Sequence, residues 1–166
     1  MSHICLNKNS SFAYRKFAWL HVKGFAIGIL IIWLLGVWPA VVVTPSINKT
    51  LFMVNKYSKI FPKGSYVYFK SARPGSNTVY PIIKQVVGIA GDVIEIKNNK
   101  CLVEGRLVGT IKSTGNNGVK LTGIASGVIP AGKLFVAGNI DNSFDSRYQE
   151  LVLLNKDEVK RAYLVF

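Results

Sequence analysis

Apolar positions gather in one unbroken run near the N-terminus and, beyond it, in short alternating pieces. Residues 24–43 carry no charge and read Gly-Phe-Ala-Ile-Gly-Ile-Leu-Ile-Ile-Trp-Leu-Leu-Gly-Val-Trp-Pro-Ala-Val-Val-Val. About 20 apolar residues are what an α-helix needs to cross the hydrocarbon core of a bilayer. The run therefore predicts a transmembrane helix over 24–43, with Trp33 and Trp38 suited to it and Pro39 loosening the last turn. A cleavable signal peptide competes, but the run is long for such a peptide's apolar region and no small-x-small site closes it. Residues 1–23 are polar and basic, with a short helix over 10–20 lying on the membrane face.

After the run the pattern changes to period two. Tyr66-Val67-Tyr68-Phe69, residues 79–89, Val93-Ile94-Glu95-Ile96, Cys101-Leu102-Val103 and Leu134-Phe135-Val136-Ala137 read as strands. Leu51-Phe52-Met53-Val54 reads as a short strand or turn. Pro62-Lys63-Gly64, Gly91-Asp92 and Pro130-Ala131-Gly132 punctuate these pieces, and residues 71–77 and 139–146 form loops. Residues 105–127, rich in Gly, Ser, Thr and Asn, form a long excursion of short strands. The expected organisation is a segment 1–23, a helix 24–43 and one mainly β domain over 44–166, an antiparallel sheet with short turns.

Charge orients this plan. Of 21 Lys and Arg, Lys8, Arg15, Lys16 and Lys23 precede the run and 17 follow it, whereas all eight Asp and Glu follow it. The positive-inside rule keeps the N-terminus in the cytoplasm and puts the domain on the far side. The domain stays basic, which suits anionic lipid headgroups. Nucleic acid is the weaker partner, because the charges are scattered and no recognition motif accompanies them. In this topology Cys5 and Cys101 lie on opposite sides and cannot pair, so the domain relies on its core alone.

Both histidines, His3 and His21, precede the run. A domain beyond the membrane therefore lacks the histidine of a Ser-His-Asp or Cys-His arrangement and of a His-based zinc site. If Ser46, just past the run in Thr44-Pro45-Ser46, is a nucleophile, its base is a lysine or a carboxylate. A lysine serves only when neutral, which burial without a counter-ion favours. Lys84 is the candidate, because alternation puts it on the face of Ile82 and Val86; Lys70 is its rival and abuts a polar loop. The plain alternatives are a strand lysine that snorkels to water and a serine that merely ends a helix.

These residues resemble the type I signal peptidase family in three boxes taken in order. The first is Thr44-Pro45-Ser46-Ile47. The second runs from Ile83-Lys84-Gln85-Val86-Val87-Gly88 through Ile89-Ala90-Gly91-Asp92, and the third is Asn139-Ile140-Asp141-Asn142-Ser143-Phe144-Asp145-Ser146-Arg147-Tyr148. Members carry a catalytic serine just after an anchor, a lysine in a strand that ends in a Gly-Asp turn, and a Gly-Asp-Asn-Arg-Asp-Asn-Ser-x-Asp-Ser-Arg motif. Departures are Thr44 for the first serine, Ile47 for the methionine, Ile140 for the arginine and Gly138 for the aspartate. The Thr-Pro-Ser start, single anchor and short domain look most like the TraF-like branch that matures pilins in conjugative transfer.

The resemblance implies a mainly β, signal-peptidase-like domain and a serine endopeptidase without metal or cofactor. It makes Ser46 the nucleophile and Lys84 the base, with the Ser46 N–H and the Thr44 hydroxyl as oxyanion hole. Ser143 orients the lysine, Asp145 and Arg147 support the site as an ion pair, and Pro81, Ile82 and Ile83 line the substrate groove. The implied partners are a membrane-inserted precursor, a pilin or a preprotein, and the bilayer. The implied place is the bacterial inner membrane, with the catalytic domain on the periplasmic side. A general signal peptidase, an inactive anchored β domain that scaffolds an envelope complex, a repressor-type self-cleaving domain and a cyclising peptidase stand as alternatives.

Overall fold

The computed structural model describes residues 8–42, 47, 51–115 and 117–165. The chain falls into two units, Met1–Val37 and Trp38–Phe166. The first is a single helix, α1 (Lys8–Leu34), which takes in the basic stretch as well as the apolar one. Within it Phe17–Leu34 is long and apolar enough to cross a membrane.

The expected helix over 24–43 thus ends nine residues early and starts well before Gly24. Its end is built locally: Leu35 donates to the Ile31 carbonyl (2.9 Å), Gly36 donates to that of Trp33 (3.0 Å), and Gly36 turns the chain with φ 61°. A left-handed glycine at that place is a common helix terminator. Val-Trp-Pro-Ala-Val then forms strand β1 (Val37–Val41), where Pro39 and the valines suit a sheet edge. An unbroken apolar run does not by itself distinguish helix from strand, and here it holds both.

The second unit contains β1 from Trp38 onward and β2 (Leu51–Asn55), β3 (Tyr66–Ala72), β4 (Val79–Ile89), β5 (Val93–Lys97), β6 (Lys100–Val103), β7 (Arg106–Thr110), β8 (Gly127–Val128), β9 (Lys133–Ala137), β10 (Leu154–Asn155) and β11 (Lys160–Leu164). It is mainly β, as the alternation predicts. The strands make a seven-stranded sheet, ordered β1-β2-β11-β3-β4-β9-β10, and a four-stranded one, β7-β6-β5-β8. All the registered pairings are antiparallel. The expected hairpin between β5 and β6 forms on Asn98 and Asn99, with φ 50° and 60°. Two left-handed residues in a two-residue turn match the twist of the strands they join.

Strand β4 carries the site and is held from both sides. Its first part pairs with β3, Val79 opposite Ala72 through Gln85 opposite Tyr66, and its last part pairs with β9, Gln85 opposite Ala137 through Ile89 opposite Leu134. On the β9 side residues 79–84 have no strand partner among the described residues. A bulge lies between Val86 and Gly88. At Gly88 an added Cβ would meet Ile129 Cδ1 at 2.6 Å, Val103 Cγ1 at 3.0 Å and Phe135 Cβ at 3.1 Å. Gly88→Ala is therefore expected to destabilise the domain by about 1–3 kcal/mol through overpacking, read as a lower urea midpoint at unchanged slope. A midpoint equal to that of the parent would show that the two sheets part easily there.

Candidate functional site

A groove of about 950 Å³ runs across the large sheet between β1 and the unpaired stretch of β4, with Trp38, Val42, Ile83, Lys84, Ser143 and Phe144 in its walls. Lys84 sits at its buried end, 3% exposed, opposite Val67 of β3. Its face is that of Ile82 and Val86, which belong to the cluster of Val67, Phe69, Leu134 and Val136. The rival Lys70 is exposed. Alternation thus delivers Lys84 to an apolar interior, whereas Lys70, near the end of the neighbouring strand β3, reaches water.

Burial is the largest influence on the Lys84 ammonium and lowers its pKa from 10.5 to about 8; Arg147 and Arg73 push the same way and Asp145 opposes them. Its Nζ donates to Ser143 Oγ at 2.5 Å. Ser143, 2% exposed, comes from the loop between β9 and β10, far away in sequence.

That loop is fastened from below. Arg147 and Asp145 are 0% exposed, joined by Nε to Oδ1 at 2.8 Å and by a second guanidinium bond to Oδ2 at 2.9 Å. Nη2 also donates to the carbonyls of Ser143 (3.0 Å) and Ile140 (3.4 Å), and Nη1 donates to that of Thr110 (3.3 Å). Asp145 also accepts from the Gly138 N–H at 3.0 Å. Burial pulls the Arg147 pKa down, but the Asp145 bond and charge outweigh it and hold the guanidinium above its usual value. A planar fork that bonds a carboxylate twice is a use for which lysine is no substitute.

The far end of β4 is closed by the Gly-Asp turn. Gly91 has φ 93°, and the Asp92 carboxylate accepts from the Ile89 N–H (2.8 Å) and from Lys63 Nζ (2.7 Å). Desolvation works against the charged form of Asp92, yet these bonds bring its pKa below the usual value. The turn thereby stiffens the strand that presents Lys84.

Of the residues singled out from the sequence, Lys84 and Ser143 meet directly, and Asp145 and Arg147 pair beneath them. Pro81, Ile82 and Ile83 line the groove. Ser46 and Thr44 lie outside the described residues. Their described neighbours are Val42, in the groove wall, and Ile47, buried in one cluster with Ile83.

Sequence reasoning passed over the groove's other wall, because residues 37–42 were assigned to the helix. It also passed over Gly109, where an added Cβ would strike Arg147 Nη1. A lone glycine inside a strand pattern is the signal that marks such close approaches. Cys101, buried in the smaller sheet, has its thiol pKa pushed up to about 11 by burial, which leaves it a core residue. Among the described residues no group of His, Cys, Asp and Glu is arranged to hold a metal.

A mainly β domain follows an apolar helix, and a lysine is buried at one end of its groove. The chain belongs to the signal peptidase family, peptidase S26, whose model matches residues 16–163. It is 30% identical over 157 residues to signal peptidase I P of Bacillus subtilis subsp. natto, covering 83% of this chain and 82% of the relative. It is 34% identical over 70 residues to the conjugal transfer protein TraF of Agrobacterium fabrum, 41% of this chain and 39% of that one. The chain is accordingly a peptidase of the signal peptidase type.

Proposed function

We propose that this chain is a membrane-anchored serine endopeptidase that removes leader or terminal peptides from membrane-inserted precursors, cutting after small residues, and that its substrates are pilins of conjugative transfer. Lys84 carries the proposal: a buried amine at the end of a groove, held by Ser143 and with its pKa lowered by burial to about 8. An extended substrate adds to the unpaired edge of β4 by main-chain hydrogen bonds, with Pro81, Ile82 and Ile83 against its side chains.

Ser46 Oγ attacks the scissile carbonyl while Lys84 Nζ takes its proton, and the same proton then goes to the leaving amine. The Ser46 N–H and the Thr44 hydroxyl stabilise the oxyanion, each worth about 2.7–4 kcal/mol of barrier. Water resolves the acyl-enzyme, with Lys84 again as base. The anchor is Phe17–Leu34, in the bacterial inner membrane with the N-terminus cytoplasmic and the domain periplasmic. Ser46 follows the apolar run closely in sequence, so an anchored precursor brings its cleavage site to the same membrane surface.

Co-expression with a membrane pilin precursor tests this by intact mass. The wild type is expected to remove a peptide that Ser46→Ala and Lys84→Ala leave in place, and a further loss of one water would mean that an amine resolved the acyl-enzyme and closed a ring. Equal processing by Lys84→Ala would overturn the dyad. A second reading, a general signal peptidase for secreted preproteins, draws on the long match to signal peptidase I P. It is favoured if the same assay shows an exported preprotein cut and the pilin untouched.

A further inference from the structure

The groove is lined by cations and by no acid. Arg73, Lys84 and Lys112 face it, and none of the eight Asp and Glu residues does. The ion pairs among the described residues join Lys59 to Asp157, Lys63 to Asp92, Lys97 to Glu95 and Arg147 to Asp145, so neither Arg73 nor Lys112 is matched.

Both are held in place by neutral groups. The Arg73 guanidinium lies over the Tyr80 ring, 5.3 Å from its centroid. The adjoining turn is held by Asn117, whose Nδ2 donates to the Pro74 carbonyl at 3.0 Å. Lys112 Nζ donates to the side chain of Asn142, the residue before Ser143. Arg73 is near enough to help depress the Lys84 pKa. Fixed positive charge in a cleft with apolar walls concentrates its field there and favours a ligand of opposite sign.

Tyr80 precedes Lys84 by four residues of one strand. A strand advances about 3.3 Å per residue, so an extended peptide laid along this edge, its scissile carbonyl at Lys84, has the residue about three to five positions away beside Tyr80 and Arg73. Resting on the peptidase function proposed above, we infer that the groove selects a precursor with a side-chain carboxylate about three to five residues from the scissile bond, held by Arg73 on its Tyr80 platform while Lys112 adds to the attraction. The charge reads position; the apolar walls read size.

Binding separates this from catalysis. Labelled extended peptides with alanine before the cleavable bond, and Asp or Asn at each of these positions on either side, are titrated by anisotropy into the full-length Ser46→Ala protein in detergent micelles. At one position Asp is expected to bind about fivefold more tightly than Asn, the upper end of what a solvent-facing ion pair supplies. The advantage disappears in Arg73→Ala, shrinks in Lys112→Ala and with added salt, and passes to a Lys peptide in Arg73→Glu. Equal binding of Asp and Asn peptides throughout, an acid advantage that survives Arg73→Ala, or no binding by any peptide overturns the inference. Cleavage by the wild type, measured by mass, then stands or falls separately.

Discussion

Lys84→Ala is expected to cripple cleavage, lowering kcat by about 10²- to 10⁴-fold, the scale of a positioned general base, with the domain still folded by circular dichroism. The magnitude rests on protonation. With a pKa of 10.5 a lysine is almost wholly charged at pH 7, whereas at about 8 roughly one molecule in ten is neutral, a gain of about 300-fold in the base form. The wild-type rate should therefore climb with pH towards about 8 and level off above it. Lys84→Arg should be as inactive as alanine, since a guanidinium stays protonated. A flat profile between pH 6 and 9, with activity retained by either variant, would remove Lys84 from the chemistry.

The same burial makes an opposite prediction for stability. Because folding lowers the pKa, the unfolded chain binds the proton more strongly. The penalty is present in full below about pH 8 and is relieved as pH rises towards 10.5. Lys84→Met, which fills the space without a charge, is expected to melt higher than the parent at pH 6–7, its unfolding free energy raised by up to about 3 kcal/mol less what Ser143 loses. A variant that is more stable and inactive would mark Lys84 as retained for reaction at the expense of the fold. An equal or lower melting temperature at pH 6 would mean that the Ser143 bond already compensates the burial.

Arg147→Ala should have the largest structural effect. It leaves the Asp145 carboxylate, itself fully buried, without its two guanidinium bonds and frees the carbonyls of Ser143, Ile140 and Thr110. Removing one partner of a buried pair costs about 3–5 kcal/mol, a large share of the roughly 5–15 kcal/mol by which domains are stable. Arg147→Lys keeps a charge but not the fork, so it should recover only part of the loss. Activity should fall together with stability, because the loop that Arg147 fastens also carries Ser143. The check is a urea titration beside cleavage at low temperature. A midpoint within error of the wild type would show that the pair is dispensable.

How far the site was legible depended on how local each feature is. Lys84 was legible because strand alternation is a property of adjacent residues, and Ile82, Lys84 and Val86 show it without any partner. The Asn98-Asn99 and Gly91-Asp92 turns were legible for the same reason. The end of the helix was not, since residues 35–43 remain apolar whether they continue α1 or start a sheet. The terminating glycine is weak against that background. Missing β1 also hid one wall of the groove, and the cationic character of the groove followed from neither box nor strand. Arg73 sits in one loop and Lys112 in another, and they face a common space only after the sheet has closed.

By itself, then, the sequence determined the apolar helix, the alternating strands, a domain without histidine, and three boxes in a family's order. Those are patterns of neighbouring residues. Tertiary structure decided how deeply Lys84 is buried, and that Ser143, 59 residues further on, meets its amine. It also decided that Gly109 leaves room for the guanidinium of Arg147. The physical reason is that a lysine's pKa and an arginine's partners depend on what excludes water around them, and those neighbours come from distant strands.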